Sequence, residues 1–300
     1  MRSVLTLGIS GVVVASAIWG WSAWHADSQQ GPSGPQVPVV DRVQALLGVG
    51  LEYVLTPERC ADLGGPPGDE FDVEPNQAVV VGNANGLLEI TTSKDGFQAE
   101  RLADRPPESF SLDGQGSILS VSGQYFGQLE NGAFSKTVPL PYDGMRLMGS
   151  SLPGVAYLIG GNGAGPHRVY AYFADGTLQI EAEVPEPVVA VADNPSAVYF
   201  ATRHALLRVT GTDIVPVFRI PEDLGDITSL AVASDDKALY FATDRETFVL
   251  SGLSAVALLK DLGGILRMRN NRLYVWSPAR QILLSVSGME DILATERSAQ

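Results

Sequence analysis

The chain has 300 residues, 45% of them hydrophobic, and its 34 Asp+Glu against 20 Lys+Arg give a formal net charge of −14. That acidity repels phosphate backbones and anionic lipid heads, which excludes nucleic acid as an expected partner. Cys60 is the single cysteine, so no intramolecular disulfide can form and stability must come from the apolar core.

The first element is an uncharged stretch from Ser3 to Trp24, 22 residues long, preceded only by Met1 and Arg2. As a helix it is long enough to cross roughly 30 Å of hydrocarbon. Residues 1–26 therefore read as an export segment, with two outcomes open. The apolar run Val4 to Val14 followed by Ala15-Ser16-Ala17 suits a cleaved signal peptide and a secreted domain. The continuation Ile18-Trp19-Gly20-Trp21-Ser22-Ala23-Trp24 suits a signal-anchor, because tryptophan prefers the membrane–water interface, and this is the favoured reading. The membrane is then a partner through this segment, and everything after His25 is extracytoplasmic. No Asn-x-Ser/Thr acceptor occurs, Asn194 being followed by Pro195, and the expected location is the bacterial periplasmic side.

Residues 27–40, with Gly31-Pro-Ser-Gly-Pro35, are too polar and Pro/Gly-rich to fold alone and read as a tether. Residues 41–69 form a lead-in. The segment Val39 to Val54, ahead of the first blade, is apolar enough for a short helix or an extra strand. Ring closure falls either to this stretch or to the last strand at Asp291-Ile-Leu293.

From residue 70 to residue 295 one pattern recurs: an apolar run, a turn, a second apolar run and a tight hairpin. Its second strand is marked by Val80, Leu119, Tyr157, Tyr199, Tyr240 and Tyr274, at spacings of 39, 38, 42, 41 and 34 residues. A period in this range means a repeat architecture. First strands such as Val188-Val-Ala-Val191 are continuously apolar, as in a sheet covered on both faces. Fourth strands such as Leu178-Gln-Ile-Glu-Ala-Glu-Val184 alternate, as at an exposed blade edge. Six copies without long helices predict an all-β fold, a six-bladed β-propeller.

Ser234-Asp-Asp-Lys-Ala-Leu-Tyr-Phe-Ala-Thr-Asp244 resembles the strand–turn–strand centre of blades in the gluconolactonase/SMP-30 and NHL-repeat groups. The resemblance is one of pattern and runs from about Phe71 to Leu293. It implies a six-bladed propeller. For gluconolactonase-like enzymes it also implies a divalent cation held in the channel by a Glu, an Asn and Asp residues from different blades. No aligned ligand set carries over to this chain.

Three acidic residues precede first strands at channel mouths, Glu70, Glu108 and Asp226. Were they to converge they would bind a cation through hard oxygen ligands, and otherwise they are a solvated acidic rim. Arg146, Arg267 and Arg269 lie in first strands, where charge is unusual. They are the candidate ligand-binding residues, for an anionic ligand or a partner's carboxylate. The alternative is salt bridges to Asp72 or Asp226 across the channel. Gly160-Gly-Asn-Gly-Ala-Gly165 lacks the Lys-Ser/Thr ending of a phosphate loop and reads as a long hairpin. His167 and His204 are isolated turn residues, and the four tyrosines, sharing one repeat position, are packing residues.

No catalytic residue stands out, since nucleophile-elbow and zinc-protease motifs are absent. The expectation is a noncatalytic extracytoplasmic binding or scaffold module for a protein or small ligand, with no cofactor. The alternative is a metal-dependent lactonase-like hydrolase with a cation in the channel.

Overall fold

The computed structural model describes residues 39–41, 50–93, 96–130, 132–160, 167–211, 213–236, 238–251 and 254–288. All of them belong to one compact unit, Val39–Gln300. The export segment, most of the tether, the glycine-rich hairpin tip and Asp291–Leu293 lie outside the described residues. Among the described residues no helix is long and apolar enough to cross a membrane.

The chain runs through β1 (Val39–Asp41), β2 (Gly50–Leu55) and a short helix α1 (Pro57–Asp62) before the first blade. The Thr56 side chain and Pro57 start α1. Blade one comprises β3 (Phe71–Val73), β4 (Val79–Asn83), β5 (Gly86–Ser93) and β6 (Gly96–Ala103). Blade two comprises β7 (Ser109–Leu112), β8 (Ile118–Ser122), β9 (Tyr125–Glu130) and β10 (Ala133–Pro139). Blade three is β11 (Arg146–Gly149), β12 (Val155–Gly160), β13 (His167–Phe173) and β14 (Leu178–Val184). Blade four is β15 (Val188–Asn194), β16 (Ala197–Thr202), β17 (Ala205–Thr210) and β18 (Asp213–Arg219). Blade five holds β19 (Ile227–Val232), β20 (Leu239–Thr243), β21 (Thr247–Ser251) and β22 (Ser254–Leu259). Blade six holds β23 (Ile265–Arg269), β24 (Arg272–Ser277) and β25 (Ile282–Ser287).

Each blade is an antiparallel meander, and the innermost strands touch in sequence, β23 meeting β3 to close the ring. The fold is therefore an all-β, six-bladed propeller. Its fastening answers the question the sequence leaves open. β2 pairs antiparallel with β25 and supplies the fourth strand of the last blade, so one sheet joins both ends of the ring. β1 adds a fifth strand to blade five, parallel to β22.

The core lies between blades rather than at one centre. Leu55, Cys60, Phe71, Trp276 and Leu283 pack where blade six meets blade one. Phe218, Phe241 and Phe248 stack where blade four meets blade five, with ring centroids 5.2 and 4.9 Å apart. Burial against a neighbour on both faces explains the continuous apolar runs of the inner strands.

Every blade junction also carries a polar clasp. Asp72 accepts from the Leu112 N–H at 2.8 Å, linking blades one and two. Ser109 Oγ accepts from the Leu147 N–H at 2.9 Å, linking two and three. Asp193 accepts from the Ser151 N–H at 2.7 Å, joining four to three. Asn194 donates to the Ala233 carbonyl at 3.0 Å, and Ser229 Oγ accepts from the Leu266 N–H at 2.9 Å. Arg269 Nε donates to the Val73 carbonyl at 2.8 Å and Trp276 Nε1 to the Gly68 carbonyl at 3.0 Å, completing the circuit. These bonds satisfy backbone groups in or beside the inner strands with partners from the neighbouring blade.

Candidate functional site: the two mouths of the channel

The channel opens at both ends. Turns between first and second strands frame one mouth, and there the wall encloses a cavity of about 470 Å³ to which all six blades contribute. Its polar lining includes Asp72, Ser150, Asp193, Ser234, Arg267 and Arg269, with Ser151, Asn270 and Asn271 beside them. The opposite mouth, where each fourth strand hands over to the next blade, holds a broader cleft of about 950 Å³ with Glu70, Glu108, Arg146 and Asp244 on its walls.

At the first mouth Arg267 projects from the middle of β23 and is only 16% exposed. Its guanidinium lies 5.7 Å from the centroid of the Phe71 ring, and Nη1 donates to the Leu266 carbonyl at 2.8 Å. Nε is buried with no hydrogen-bond acceptor among the described residues, the nearest carboxylate oxygen, Asp72 Oδ1, being 3.8 Å away. Asp72 cannot come closer cheaply, because it is held by the Val73 N–H at 2.7 Å, the Leu112 N–H and the Ser111 hydroxyl. Gly149 of blade three packs directly on that clasp, and a side chain there would overlap Ser111 Oγ and Asp72. Arg269, two residues on, is committed to carbonyls: Val73 through Nε and Asp113 through Nη2 at 3.2 Å.

Asp193 is equally engaged, accepting from the Ser150 hydroxyl, the Ser151 N–H and the Tyr157 hydroxyl at 3.2 Å. Burial first, and then the Asp193 charge, pushes the Tyr157 phenol far above its usual range. Tyr199 donates to Asp236 at 2.7 Å, and burial followed by that bond pushes its phenol up to about 12. All four tyrosines of the repeat are buried, and Tyr157 and Tyr199 are hydrogen-bonded to Asp193 and Asp236.

At the second mouth Glu70 is the central group. Its oxygens accept from the Ser109 hydroxyl and the Phe110 N–H, both at 2.7 Å. Burial raises its carboxyl above the ordinary range, while these bonds and then the charges of Arg267 and Arg146 oppose the rise. Glu108 accepts from the Gly123 N–H at 3.1 Å, within its own blade. Asp226 is not on the cleft wall. It sits on the exposed rim, 3.9 Å from Arg203 Nε and 3.8 Å from His204 Nδ1.

Of the residues singled out in the sequence, the structure brings Arg267 and Arg269 together at one mouth and Glu70, Glu108 and Arg146 at the other. Arg267 approaches Asp72, whereas Asp226 pairs with neither arginine. His167 begins β13 rather than lying in a turn. Sequence reasoning missed Asp193 and Ser150. The available signal was Ala192-Asp193-Asn194, two polar residues ending an otherwise apolar inner strand.

A divalent cation of the kind the gluconolactonase resemblance implies does not suit these donors. Among the described residues no three His, Cys, Asp or Glu side chains are grouped to hold a metal. Both oxygens of Glu70 are already taken by blade two, and the charges that bear on it are guanidinium groups.

The fold is shared with solved structures. A gluconolactonase from Xanthomonas campestris superposes with a TM-score of 0.59 at 15% identity, over 85% of this chain and 98% of its own. The chain has a gluconolactonase-like propeller fold. An X-ray structure of a protein assigned as a gluconolactonase matches with a TM-score of 0.54 at 14% identity, over 80% of this chain and 92% of that one. No protein-family model matches the sequence, and no curated protein matches it. At such identities the likeness concerns backbone architecture.

Proposed function

We propose that this gluconolactonase-like propeller binds a small molecule in its channel, at the mouth that carries Arg267. The observation that carries the reading is a cavity of about 470 Å³ holding a nearly buried guanidinium that makes a single hydrogen bond among the described residues, to the Leu266 carbonyl. Small-molecule pockets span roughly 300–1,000 Å³ and combine apolar walls with a few orienting polar groups. The test is thermal unfolding of the full chain against a panel of small acids, lactones and polyols. A ligand at 100 times its Kd stabilises the folded state by about 2.7 kcal/mol. A panel that leaves the midpoint unmoved at millimolar concentration removes the reading. We place the site on the extracytoplasmic side, a proposal supported by the apolar stretch Ser3–Trp24.

The likeness to gluconolactonases favours a second reading, hydrolysis of a lactone at the opposite mouth. There Glu70, its carboxyl raised by burial, is the group suited to accept or return a proton. Arg146 is the cation positioned to face a developing oxyanion. Water adds to the lactone carbonyl and the ring C–O bond breaks, giving a hydroxy acid whose proton is released to solution. A pH-indicator assay follows that release. Turnover that is unaffected by EDTA and lost in Glu70→Gln supports this form of the reading, and turnover abolished by EDTA overturns it.

A further inference from the structure

Resting on the channel-binding reading, we infer that the ligand of the Arg267 cavity is a compact monocarboxylate: one carboxylate on an apolar body. The argument follows from which polar groups around the cavity are still free to bond. Asp72 is saturated by three donors from blades one and two. Asp193 is saturated by Ser150, Ser151 and Tyr157. At the rim Arg269 is spent on two carbonyls, Asn270 donates to the Pro75 carbonyl at 2.8 Å, and Ser234 donates to Asn271 at 2.7 Å. Arg267 keeps the most unused valence: of its five N–H donors one is bound, to the Leu266 carbonyl, against two of five for Arg269.

The Nη1/Nη2 end of the planar guanidinium, with one of its four N–H groups bonded, matches the two oxygens of a carboxylate, and exclusion of water strengthens that bond. The wall around it is mixed: Leu112, Val191, Leu230, Leu266 and Met268 are apolar, while Ser150, Ser151, Ser234 and Asn270 already donate to acceptors within the protein. A sugar or polyol would find the donors of those hydroxyls and amides already bonded and would bring several further hydroxyls against the apolar side chains. A phosphate or sulfate dianion would place its second charge near the carboxylates of Asp72 and Asp193, with Arg269 already engaged. One negative charge and a hydrocarbon body meet both constraints.

Isothermal titration calorimetry of the full chain with acetate, butyrate, hexanoate, benzoate, hexanamide, gluconate and inorganic phosphate tests the assignment. Along the acid series, affinity rises about fourfold per methylene while the cavity has room. Hexanamide binds about tenfold or more weakly than hexanoate, and Arg267→Met removes that preference while Arg267→Lys retains part of it. The acid-against-amide comparison on the unaltered chain stands even where a variant fails to fold. Gluconate or phosphate binding as tightly as benzoate, or hexanoate affinity unchanged in a folded Arg267→Met, overturns the inference. Should hexanamide bind and hexanoate not, the ligand class is wrong while channel binding stands. Should nothing in the panel bind, both fall.

Discussion

Leu55 tests the way the ring is closed. It ends β2, has no exposed surface, and packs against Phe71 of blade one and Trp276 and Leu283 of blade six. Leu55→Ala deletes three buried carbons, about 2.4 kcal/mol of transfer free energy at ~0.8 kcal/mol each. The residual cavity adds to this, because strands fixed on both sides collapse little, and the total falls near 3.5 kcal/mol within a ~2–5 kcal/mol range for such changes. In a chain of this size each kcal/mol lowers Tm by ~2–4 °C, so the expected loss is ~7–14 °C. Ile180→Ala on β14 is the matched control, since Ile180 is 50% exposed at a blade edge. Its cost is expected within about 0.5 kcal/mol. Differential scanning calorimetry of both variants reads the contrast. Equal small shifts for Leu55→Ala and Ile180→Ala would refute closure through β2, because a strand that does not fasten the ring can detach without loosening it.

The clasps and the buried acid give further checks. Asp193→Ala strips Ser151, Ser150 and Tyr157 of their shared acceptor and is expected to cost about 3 kcal/mol by chemical denaturation, against almost nothing for Asp175→Ala on an exposed turn. Glu70 has a folded-state pKa raised above its unfolded value, so ionising it costs the folded state. Wild-type stability relative to Glu70→Gln should therefore grow as pH falls through the folded pKa and level off below the unfolded one. A wild type that loses ground to the variant on acidification contradicts the burial of that carboxyl. Cys60 is 1% exposed, and burial, then the Glu58 charge, pushes its thiol pKa up. A thiol reagent should modify it roughly a thousandfold more slowly in the native protein than after unfolding, and a native rate near that of the unfolded chain would place it at the surface.

Periodicity made the blades readable. Within a blade, each strand pairs with the next in the chain through a short hairpin. The alternation of apolar runs and turns therefore carries the pairing, and the tyrosines at one repeat position mark equivalent packing. Leu55 is different, because its partner strand lies at the other end of the chain. Gly50 pairs with Ser287, and no local pattern near Val39 to Val54 records that contact. The signal that those residues are apolar does not say which sheet edge will receive them.

The site shows the same division. Charge in the inner strands was visible at Arg146, Arg267 and Arg269, as was acid before those strands at Glu70, Glu108 and Asp226. Sequence alone established a closed repeat array, an acidic surface, an apolar N-terminal stretch and unusual arginines near the axis. Only the tertiary structure decided which of them meet. Arg146 opens β11 and Arg269 ends β23, and at about 3.3 Å per residue this places them at opposite mouths of the channel. Donors from the neighbouring blade then settled which charges are spent. Asp72 and Asp193 are consumed by inter-blade bonds and Arg267 is not, because each strand of a propeller finds its polar partners roughly 40 residues away, across a junction that exists only once the ring has closed.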